Sequence, residues 1–331
     1  MNEKQIQDKI NQLNLVKKEI AKIIVGQETI IEELLISILA GGHCLLEGVP
    51  GLAKTLLVSS LAKTMKLDFC RIQFTPDLMP SDIVGTEILE EDHTTGKRFF
   101  EFKQGPVFTN ILLADEINRT PPKTQAALLE AMQEQSVSYA GQTYQLPNPF
   151  FVLATQNPIE QSGTYPLPEA QLDRFLMFIR VGYPSKSEEL EILKRTTGNS
   201  TVKLEALMDD NQIIELQGYV RDVEISEPLL SYITQIVRQT RPEESTIDQV
   251  KQYIRWGAGP RAGQALTLCA KARALLSGRY SVTLEDIAFA APSVLRHRIL
   301  VNFQAEADKI STDKIISRLI ELVEKPKSKI R

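Results

Sequence analysis

The chain has 331 residues, and 43% of them are hydrophobic, which is enough for one large domain or two smaller ones with apolar cores. Its 38 basic and 42 acidic residues give a net charge of −4, so it lacks the basic excess of a dedicated nucleic-acid binder. The start of the chain is polar, and the most hydrophobic predicted helix, residues 30–40, carries Glu32 and Glu33. The sequence therefore predicts neither a signal peptide nor a membrane span.

The cysteines and histidines form neither a metal-binding nor a disulfide pattern. Cys44, Cys70 and Cys269 are scattered along the chain in apolar surroundings, which favours reduced core cysteines and predicts a cytoplasmic protein. The three histidines are isolated from one another in sequence, so each is predicted to be a packing or surface residue: His43, His93 and His297.

The chain begins with two predicted helices within residues 4–40, followed by a short apolar strand and a glycine-rich loop. The loop reads Gly48-Val-Pro-Gly51-Leu-Ala-Lys54-Thr55 and leads into a predicted helix that runs towards Met65. A loop of this kind directs backbone N–H groups at a phosphate, while its lysine bridges the β- and γ-phosphates and its hydroxyl binds Mg²⁺. The loop therefore predicts a nucleotide site with Mg²⁺.

One position of the loop departs from the usual pattern. A phosphate-binding loop normally has glycine directly before its lysine, and this chain has Ala53. Alanine costs little if that residue already has a helical φ, so we expect a variant loop with a helical backbone at Ala53. A glycine- and proline-rich turn with a chance Lys-Thr pair is the alternative interpretation of the loop taken alone.

Two adjacent carboxylates follow the apolar run Ile111-Leu-Leu-Ala. A continuous apolar strand would deliver Asp115 to the carboxyl edge of a parallel sheet, where it can hold Mg²⁺ directly or through water. Glu116 would then face the γ-phosphate and could orient and deprotonate a water molecule. The pair predicts hydrolysis of the nucleotide, and a strand that ends in two solvated acids is the simpler alternative.

The alternation of strands and helices is interrupted in two places. Residues 77–104 contain two β-rich runs and are predicted to be an inserted hairpin, and a second hairpin is predicted at residues 136–146. From residue 185 onward amphipathic helices dominate, which indicates a smaller helical domain. We predict a three-layer α/β core with a parallel sheet at residues 1–205 and an all-helical lid domain at residues 206–331.

Three further polar residues suit the same chemistry. Asn157 follows an apolar strand, so it could hydrogen-bond the attacking water or the γ-phosphate, although an Asn-Pro turn is the simpler explanation of that residue alone. Arg174 lies at a helix end before a strand, where it could reach the γ-phosphate of a neighbouring subunit. Arg261 opens a helix of the second domain, where it could touch the nucleotide. Either arginine could instead be a surface ion-pair partner.

Together these motifs resemble those of the MoxR family of AAA+ ATPases, and the resemblance covers nearly the whole chain. The residues that carry it are 48–55, 71–77, 114–119, 154–158, 172–175, 259–262 and 295–298. The resemblance implies a P-loop NTPase fold with a five-stranded parallel sheet and a helical lid. It also implies a homo-oligomeric ring, usually a hexamer, with ATP and Mg²⁺ at the subunit interfaces.

The resemblance also assigns roles to residues. Lys54 and Thr55 match the Walker A site, Asp115 and Glu116 the Walker B site, Asn157 the first sensor, Arg174 the arginine finger and Arg261 the second sensor. The predicted catalytic residues are Lys54, Glu116, Asn157 and Arg174, and the predicted Mg²⁺ ligands are Thr55 and Asp115. The predicted nucleotide contacts are Val25, Gly26, Gly48, Val49, Pro50, Gly51, Leu52, Ala53, Lys54, Thr55, Leu56 and Arg261.

Three functions are compatible with these motifs. The first is a chaperone-like ATPase that uses hydrolysis to mature or activate a protein client. The second is a motor that acts on nucleic acid, for which the first hairpin offers the basic and aromatic run 97–100, but the second hairpin has no Lys or Arg and the chain is acidic. The third is a small-molecule kinase, which is disfavoured because Glu116 beside Asp115 suits activation of water.

Overall fold

The computed structural model describes residues 3–91, 93–94, 96–159, 163–198 and 202–326. The β-strands in these ranges form one five-stranded sheet and three two-stranded ones. The strands are β1 (Cys44–Glu47), β2 (Phe69–Gln73), β3 (Gly85–Glu91), β4 (Arg98–Gln104), β5 (Ile111–Asp115), β6 (Ser136–Tyr139), β7 (Gln142–Gln145), β8 (Phe151–Gln156), β9 (Met177–Arg180), β10 (Ile254–Trp256) and β11 (Leu300–Val301).

The five-stranded sheet confirms the predicted α/β core. Its strand order is β2-β5-β8-β1-β9, and every neighbouring pair is parallel. The three central strands are apolar and buried, as expected for a parallel sheet covered by helices on both faces. Because the strands run the same way, the residues that follow β1, β5 and β8 meet at the carboxyl edge of the sheet. The residues that precede β1 and β9 meet at its opposite, amino edge.

Helices cover the sheet and form most of the C-terminal part of the chain. None of the helices in the described ranges has the length and apolar character of a membrane-spanning segment. A short 3₁₀ helix occupies Ile117–Arg119. The α-helices are α1 (Glu3–Ala21), α2 (Glu28–Leu39), α3 (Lys54–Thr64), α4 (Pro80–Val84), α5 (Pro122–Glu134), α6 (Glu169–Leu172), α7 (Lys186–Thr196), α8 (Asp210–Asp222), α9 (Glu227–Gln239), α10 (Asp248–Tyr253), α11 (Pro260–Leu276), α12 (Leu284–Leu295), α13 (Phe303–Ala307) and α14 (Thr312–Leu322).

Both predicted hairpins are present and touch each other. The strands β3 and β4 form the first antiparallel hairpin, and β6 and β7 form the second. Phe102 on β4 stacks on Tyr144 of β7 with ring centroids 4.3 Å apart, and it lies 5.2 Å from the ring of Tyr139 on β6. The two hairpins are therefore joined by aromatic contacts.

The C-terminal helices share one hydrophobic core with the N-terminal helices. A single cluster of buried residues includes Leu34 and Leu35 of α2, Val58 of α3, and Leu266 and Leu276 of α11. The helix α11 packs against α2 as well as against its lid neighbours α8, α9 and α12. The lid region also contains the short antiparallel pair β10 and β11, which the sequence did not predict.

Candidate nucleotide-binding site

The glycine-rich loop connects β1 to α3 at the carboxyl edge of the sheet. Gly51 has a φ of 85°, and a Cβ there would meet no atom of the described residues within 4 Å, so the loop backbone is open to a ligand. At Gly48 a Cβ would lie 2.9 Å from the Val181 Cβ, so only glycine allows the loop to pass close to the end of β9. Lys54 Nζ donates to the Gly48 carbonyl at 2.5 Å. These residues form an open turn with a lysine ammonium group folded over it.

The backbone at Ala53 differs from the prediction. Its φ of 55° and ψ of 23° are left-handed, so the expected helical conformation is wrong. An alanine in this conformation costs roughly 1–2 kcal/mol, because its Cβ approaches the following carbonyl oxygen, whereas glycine has no Cβ. The usual glycine therefore suits this position, and Ala53 occupies it under strain.

Asp115 is the last residue of β5 and lies at the same edge. Its Oδ1 accepts a hydrogen bond from Thr155 Oγ1 at 2.6 Å, and its Oδ2 accepts one from Arg71 Nη2 at 2.6 Å. The side chains of Thr155 and Arg71 come from the two strands that flank β5. Asp115 is thus oriented by neighbours on both sides.

Glu116 follows directly and also has a left-handed backbone, with a φ of 59°. Its amide donates to Thr155 Oγ1 at 2.9 Å. Its Oε2 accepts from Gln73 Nε2 at 2.8 Å and from Arg119 Nη1 at 2.9 Å. The Glu116 carboxylate is therefore held by the side-chain amide of Gln73 and the guanidinium group of Arg119.

The predicted loop lysine shares an electrostatic environment with these two acids. Burial lowers the pKa of Lys54, because a low-dielectric surrounding disfavours the ammonium ion. The carboxylates of Asp115 and Glu116 oppose this change and raise the pKa. The structure thus brings Lys54, Asp115 and Glu116 together, as the sequence predicted.

Four residues around the acids were not assigned a role from the sequence: Arg71, Gln73, Arg119 and Thr155. Arg71 and Gln73 are two apart on β2, so their side chains share one face of the sheet, and Gln73 lies opposite Asp115 in the strand register. Polar residues at the carboxyl end of a strand were the available signal. It could be used only once the strand order placed β2 beside β5.

Asn157 lies one residue beyond β8, next to the start of the glycine-rich loop. The Gly48 amide donates to the Gln156 carbonyl at 3.3 Å, which fixes this proximity. Asn157 is buried, and its Oδ1 accepts from the Ile159 amide at 3.1 Å. Both interpretations of Asn157 are therefore compatible with the geometry, since it forms a side-chain-stabilised turn and also lies beside the predicted phosphate site.

Val25 and Gly26 precede Gln27, and it is Gln27 that contacts the glycine-rich loop. Gln27 Nε2 donates to the Leu52 carbonyl at 3.3 Å, while Gln27 Oε1 is buried without a partner among the described residues. Gly26 has a φ of 73°, and a side chain there would collide with Glu188 of α7. The unpaired buried acceptor of Gln27, near the open turn at Gly51, fits a bound nucleotide.

The two predicted arginines lie at the other edge of the sheet. Arg174 precedes β9, and Arg261 opens α11; both line a cleft of about 250 Å³ together with Gly41 and Gly42, which precede β1. The cleft and the glycine-rich loop lie at opposite ends of the strand β1. A parallel strand rises about 3.3 Å per residue, so the length of β1 separates them. The structure therefore does not bring Arg261 or Arg174 to the phosphate loop of their own chain.

Comparisons with known proteins agree with this architecture. The model of the family described as "ATPase family associated with various cellular activities (AAA)" matches residues 43–177, and that of the AAA lid domain matches residues 248–319. Chaperone MoxR1 of Mycobacterium tuberculosis is 45% identical over 93% of this chain and 81% of its own length. The chain belongs to the MoxR family of AAA+ ATPases.

Two further relatives support the family assignment. Protein MoxR of Methylorubrum extorquens is 32% identical over 86% of each chain. A crystal structure of a Cytophaga hutchinsonii protein superimposes with a TM-score of 0.90, at 49% identity, over 97% of each chain. The MoxR-family fold therefore extends over the lid as well as the ATPase domain.

Proposed function

We propose that this protein binds ATP with Mg²⁺ and hydrolyses the γ-phosphate bond. The observation that supports the proposal is the meeting of Lys54, Asp115 and Glu116 at one edge of the sheet, beside an open glycine turn. Such an arrangement binds phosphate, metal and water in the order that hydrolysis requires. Membership of an ATPase family supports the same reaction.

Each residue has a definite part in the proposed reaction. The loop amides and Lys54 bind the phosphates, Thr55 and Asp115 would hold the metal, and Glu116 orients and deprotonates the attacking water. Bound Mg²⁺ supplies charge neutralisation at the phosphates. Gln73 and Arg119 hold the Glu116 carboxylate, so its orientation depends on both of them.

The proposed site is completed by a neighbouring subunit. Arg174 and Arg261 line a cleft at the edge of the sheet opposite the phosphate loop of their own chain, and this placement supports a role at the site of another copy. A head-to-tail interface of this kind closes into a ring if the rotation between subunits permits. Family resemblance favours six subunits.

The use of the hydrolysis energy is proposed from the relatives and from the hairpins. One relative is named a chaperone, which supports a protein client that is matured or activated. Phe100 on β4 is 70% exposed and offers an apolar contact for such a client.

A cytoplasmic location is proposed from the cysteines. All three are unpaired, which fits the reducing cytoplasm.

Glu116→Gln and Lys54→Ala test the hydrolysis proposal. Glu116→Gln should retain ATP binding but slow turnover by about 10²–10⁴-fold, because it removes the base and leaves Lys54 and Asp115 in place. Lys54→Ala should weaken ATP binding, because it removes a charge that faces the phosphates. Calorimetric binding and phosphate release measure the two effects. Wild-type turnover in Glu116→Gln contradicts the proposal.

Mixing two inactive variants tests whether the site is shared. Arg174→Ala and Lys54→Ala subunits should each be inactive alone. In a mixed ring the intact loop of an Arg174→Ala subunit can face the intact arginine of a Lys54→Ala neighbour, so phosphate release should partly return. Absence of recovery in assemblies shown to contain both variants contradicts the shared site.

A further inference from the structure

The segment that carries Arg174 is bound by the end of a lid helix. Arg298, three residues beyond α12, is only 3% exposed at its side chain, and its Nε donates to Asp173 Oδ1 at 2.7 Å. Its Nη2 donates to the Phe175 carbonyl at 2.7 Å and to the Asp173 carbonyl at 3.3 Å. The backbone on both sides of the exposed Arg174 is therefore held by one guanidinium group.

The remaining donors of Arg298 are also used. Its Nη1 donates to the Leu176 carbonyl at 3.1 Å and to the Val294 carbonyl at 2.5 Å. All five N–H groups of the guanidinium are thus hydrogen-bonded, four of them to residues 173–176. A lysine has three donors at one point and cannot reproduce this fork.

Asp173 also links Arg298 to Arg261, the predicted second sensor. While its Oδ1 is bound by Arg298, its Oδ2 lies 3.5 Å from Arg261 Nη1. Three guanidinium groups, of Arg174, Arg261 and Arg298, thus line one cleft with one carboxylate. The excess of two positive charges favours an anionic group as the occupant of this face.

We propose that Arg298, acting through Asp173 and the adjoining backbone, is a positioning residue that presents Arg174 and Arg261 as a pair to the nucleotide of the neighbouring subunit. This inference rests on the proposed shared site. The side chain of Arg174 makes only one hydrogen bond within the described structure, to the Leu129 carbonyl at 3.0 Å, so its direction depends on the backbone that Arg298 holds. The lid of each subunit thereby sets the arginines that the next subunit uses.

The first test is Arg298→Lys, which keeps the charge and removes the fork. Its turnover number should fall by about 10- to 100-fold, the effect of a displacement of about 1 Å at a reacting group, while the KM for ATP stays within about threefold. Arg296→Lys is the matched control, because Arg296 joins the same helix end to the Phe178 carbonyl and to Asp313, beyond the Arg174 segment. The control should keep wild-type turnover.

Mixing distinguishes a displaced arginine from a damaged loop. Arg298→Lys subunits keep an intact Lys54, so addition of Lys54→Ala subunits should restore phosphate release, as expected also for Arg174→Ala. A mixture of Arg298→Lys with Arg174→Ala should show no recovery above the residual turnover of Arg298→Lys alone, because neither variant supplies a well-placed arginine. A merely destabilised protein would not show this selective recovery.

The outcomes separate the two proposals. If Arg174→Ala has wild-type turnover, the shared site and the positioning role both fail. If Arg174→Ala is inactive and Arg298→Lys has wild-type turnover, or is not restored by Lys54→Ala, only the positioning role is overturned. Should Arg298→Lys fail to fold, Asp173→Asn provides the second variant, since it removes the carboxylate shared by Arg261 and Arg298. It should follow the same mixing pattern, and wild-type turnover in it would overturn the proposal.

Discussion

Two residues of the candidate site, Ala53 and Glu116, have left-handed backbones although neither is glycine. Such conformations persist only where the surrounding structure enforces them, and they cluster at functional sites. Ala53 is fixed between the glycine turn and the first turn of α3, and Glu116 between β5 and the 3₁₀ helix. The two left-handed residues lie directly before the loop lysine and at the second carboxylate, two groups that interact electrostatically.

The strain at Ala53 can be measured by substitution. Ala53→Gly should raise the free energy of unfolding by about 0.5–1 kcal/mol, since relief of the left-handed strain exceeds the added entropy of the unfolded chain. Ala126→Gly, at an exposed position inside α5, is the matched control and should lower it by about 1 kcal/mol. Urea unfolding midpoints report both changes, and an equal loss in the two variants contradicts the assigned backbone.

His43 predicts a pH dependence of stability. Its Nδ1 accepts from the Val152 amide at 3.0 Å, so its Nε2 carries the proton and donates to the Met132 carbonyl at 3.0 Å. Burial lowers the pKa of His43 from 6.5 to about 4, because the imidazolium ion loses its hydration. The unfolded chain therefore binds a proton more readily than the folded one, so stability is complete above pH 6.5 and is lost as the pH falls towards 4.

As the pH falls from 7.5 to 5, protonation of His43 in the unfolded chain should lower the free energy of unfolding by about 2 kcal/mol. His43→Asn, whose side-chain oxygen can still accept from the Val152 amide, should be less stable at pH 7.5 but lose less on acidification. The comparison is made by urea unfolding at both pH values. His297, whose pKa burial also lowers, remains in the variant and leaves a residual slope. If His43→Asn loses as much stability between pH 7.5 and pH 5 as the wild type, His43 is not the source of the pH dependence.

At the residue scale, the sequence predicted the groups that belong to a contiguous motif. Lys54, Asp115 and Glu116 follow strands that are recognisable from their apolar runs, and the structure brings them together. Thr155 and Arg71 were missed because their contacts to Asp115 depend on which strands are neighbours. The backbone of Ala53 was mispredicted because left-handed geometry is set by the turn that surrounds it.

At the element scale, apolar runs predicted the three central strands of the sheet, which precede the glycine-rich loop, Glu116 and Asn157. The pair β10 and β11 escaped prediction because strands of two or three residues have no detectable alternation. The two hairpins were predicted at residues 77–104 and 136–146, but their mutual contact was not. That contact depends on Phe102, whose neighbours are far away in sequence.

Phe102 should couple the motions of the two hairpins. Phe102→Ala removes the contacts with Tyr139 and Tyr144, each aromatic pair being worth about 0.5–1.5 kcal/mol, so amide hydrogen exchange in β3 and β4 should speed up by about tenfold. Phe100→Ala is the control, since Phe100 is on the same strand and 70% exposed. Equal exchange in both variants would refute the coupling.

At the scale of the whole molecule, the predicted boundary at residues 205 and 206 crosses a continuous hydrophobic cluster. Buried residues of α2 pack against α11, so the ATPase core and the lid bury apolar surface on each other. The change in hydrophobic pattern predicted the transition from strands to helices near residue 185. It could not indicate that the first two helices pack with the lid.

This shared core predicts one unfolding unit. The full chain should unfold in a single calorimetric transition, whereas a fragment of residues 1–205 should lack a cooperative transition, because removal of the lid exposes the apolar face of α2. A fragment of residues 206–331 is the companion sample and should behave likewise. A cooperative transition in the 1–205 fragment would contradict the prediction.

The phosphate loop and the arginine cleft lie on opposite edges of the sheet, so each contact between subunits pairs one loop with one cleft. We call a junction competent when its loop has Lys54 and its cleft has Arg174. In an open row of subunits joined by such contacts, one terminal loop lacks arginines, so only closure supplies every loop. When a fraction x of subunits lacks Arg174 and the rest lack Lys54, random assembly yields competent junctions with frequency x(1−x), at most about one quarter at equal mixing. Activity plotted against x should therefore be a symmetric parabola that reaches zero at both ends. A curve of that form reports the order of neighbours rather than the amount of either protein.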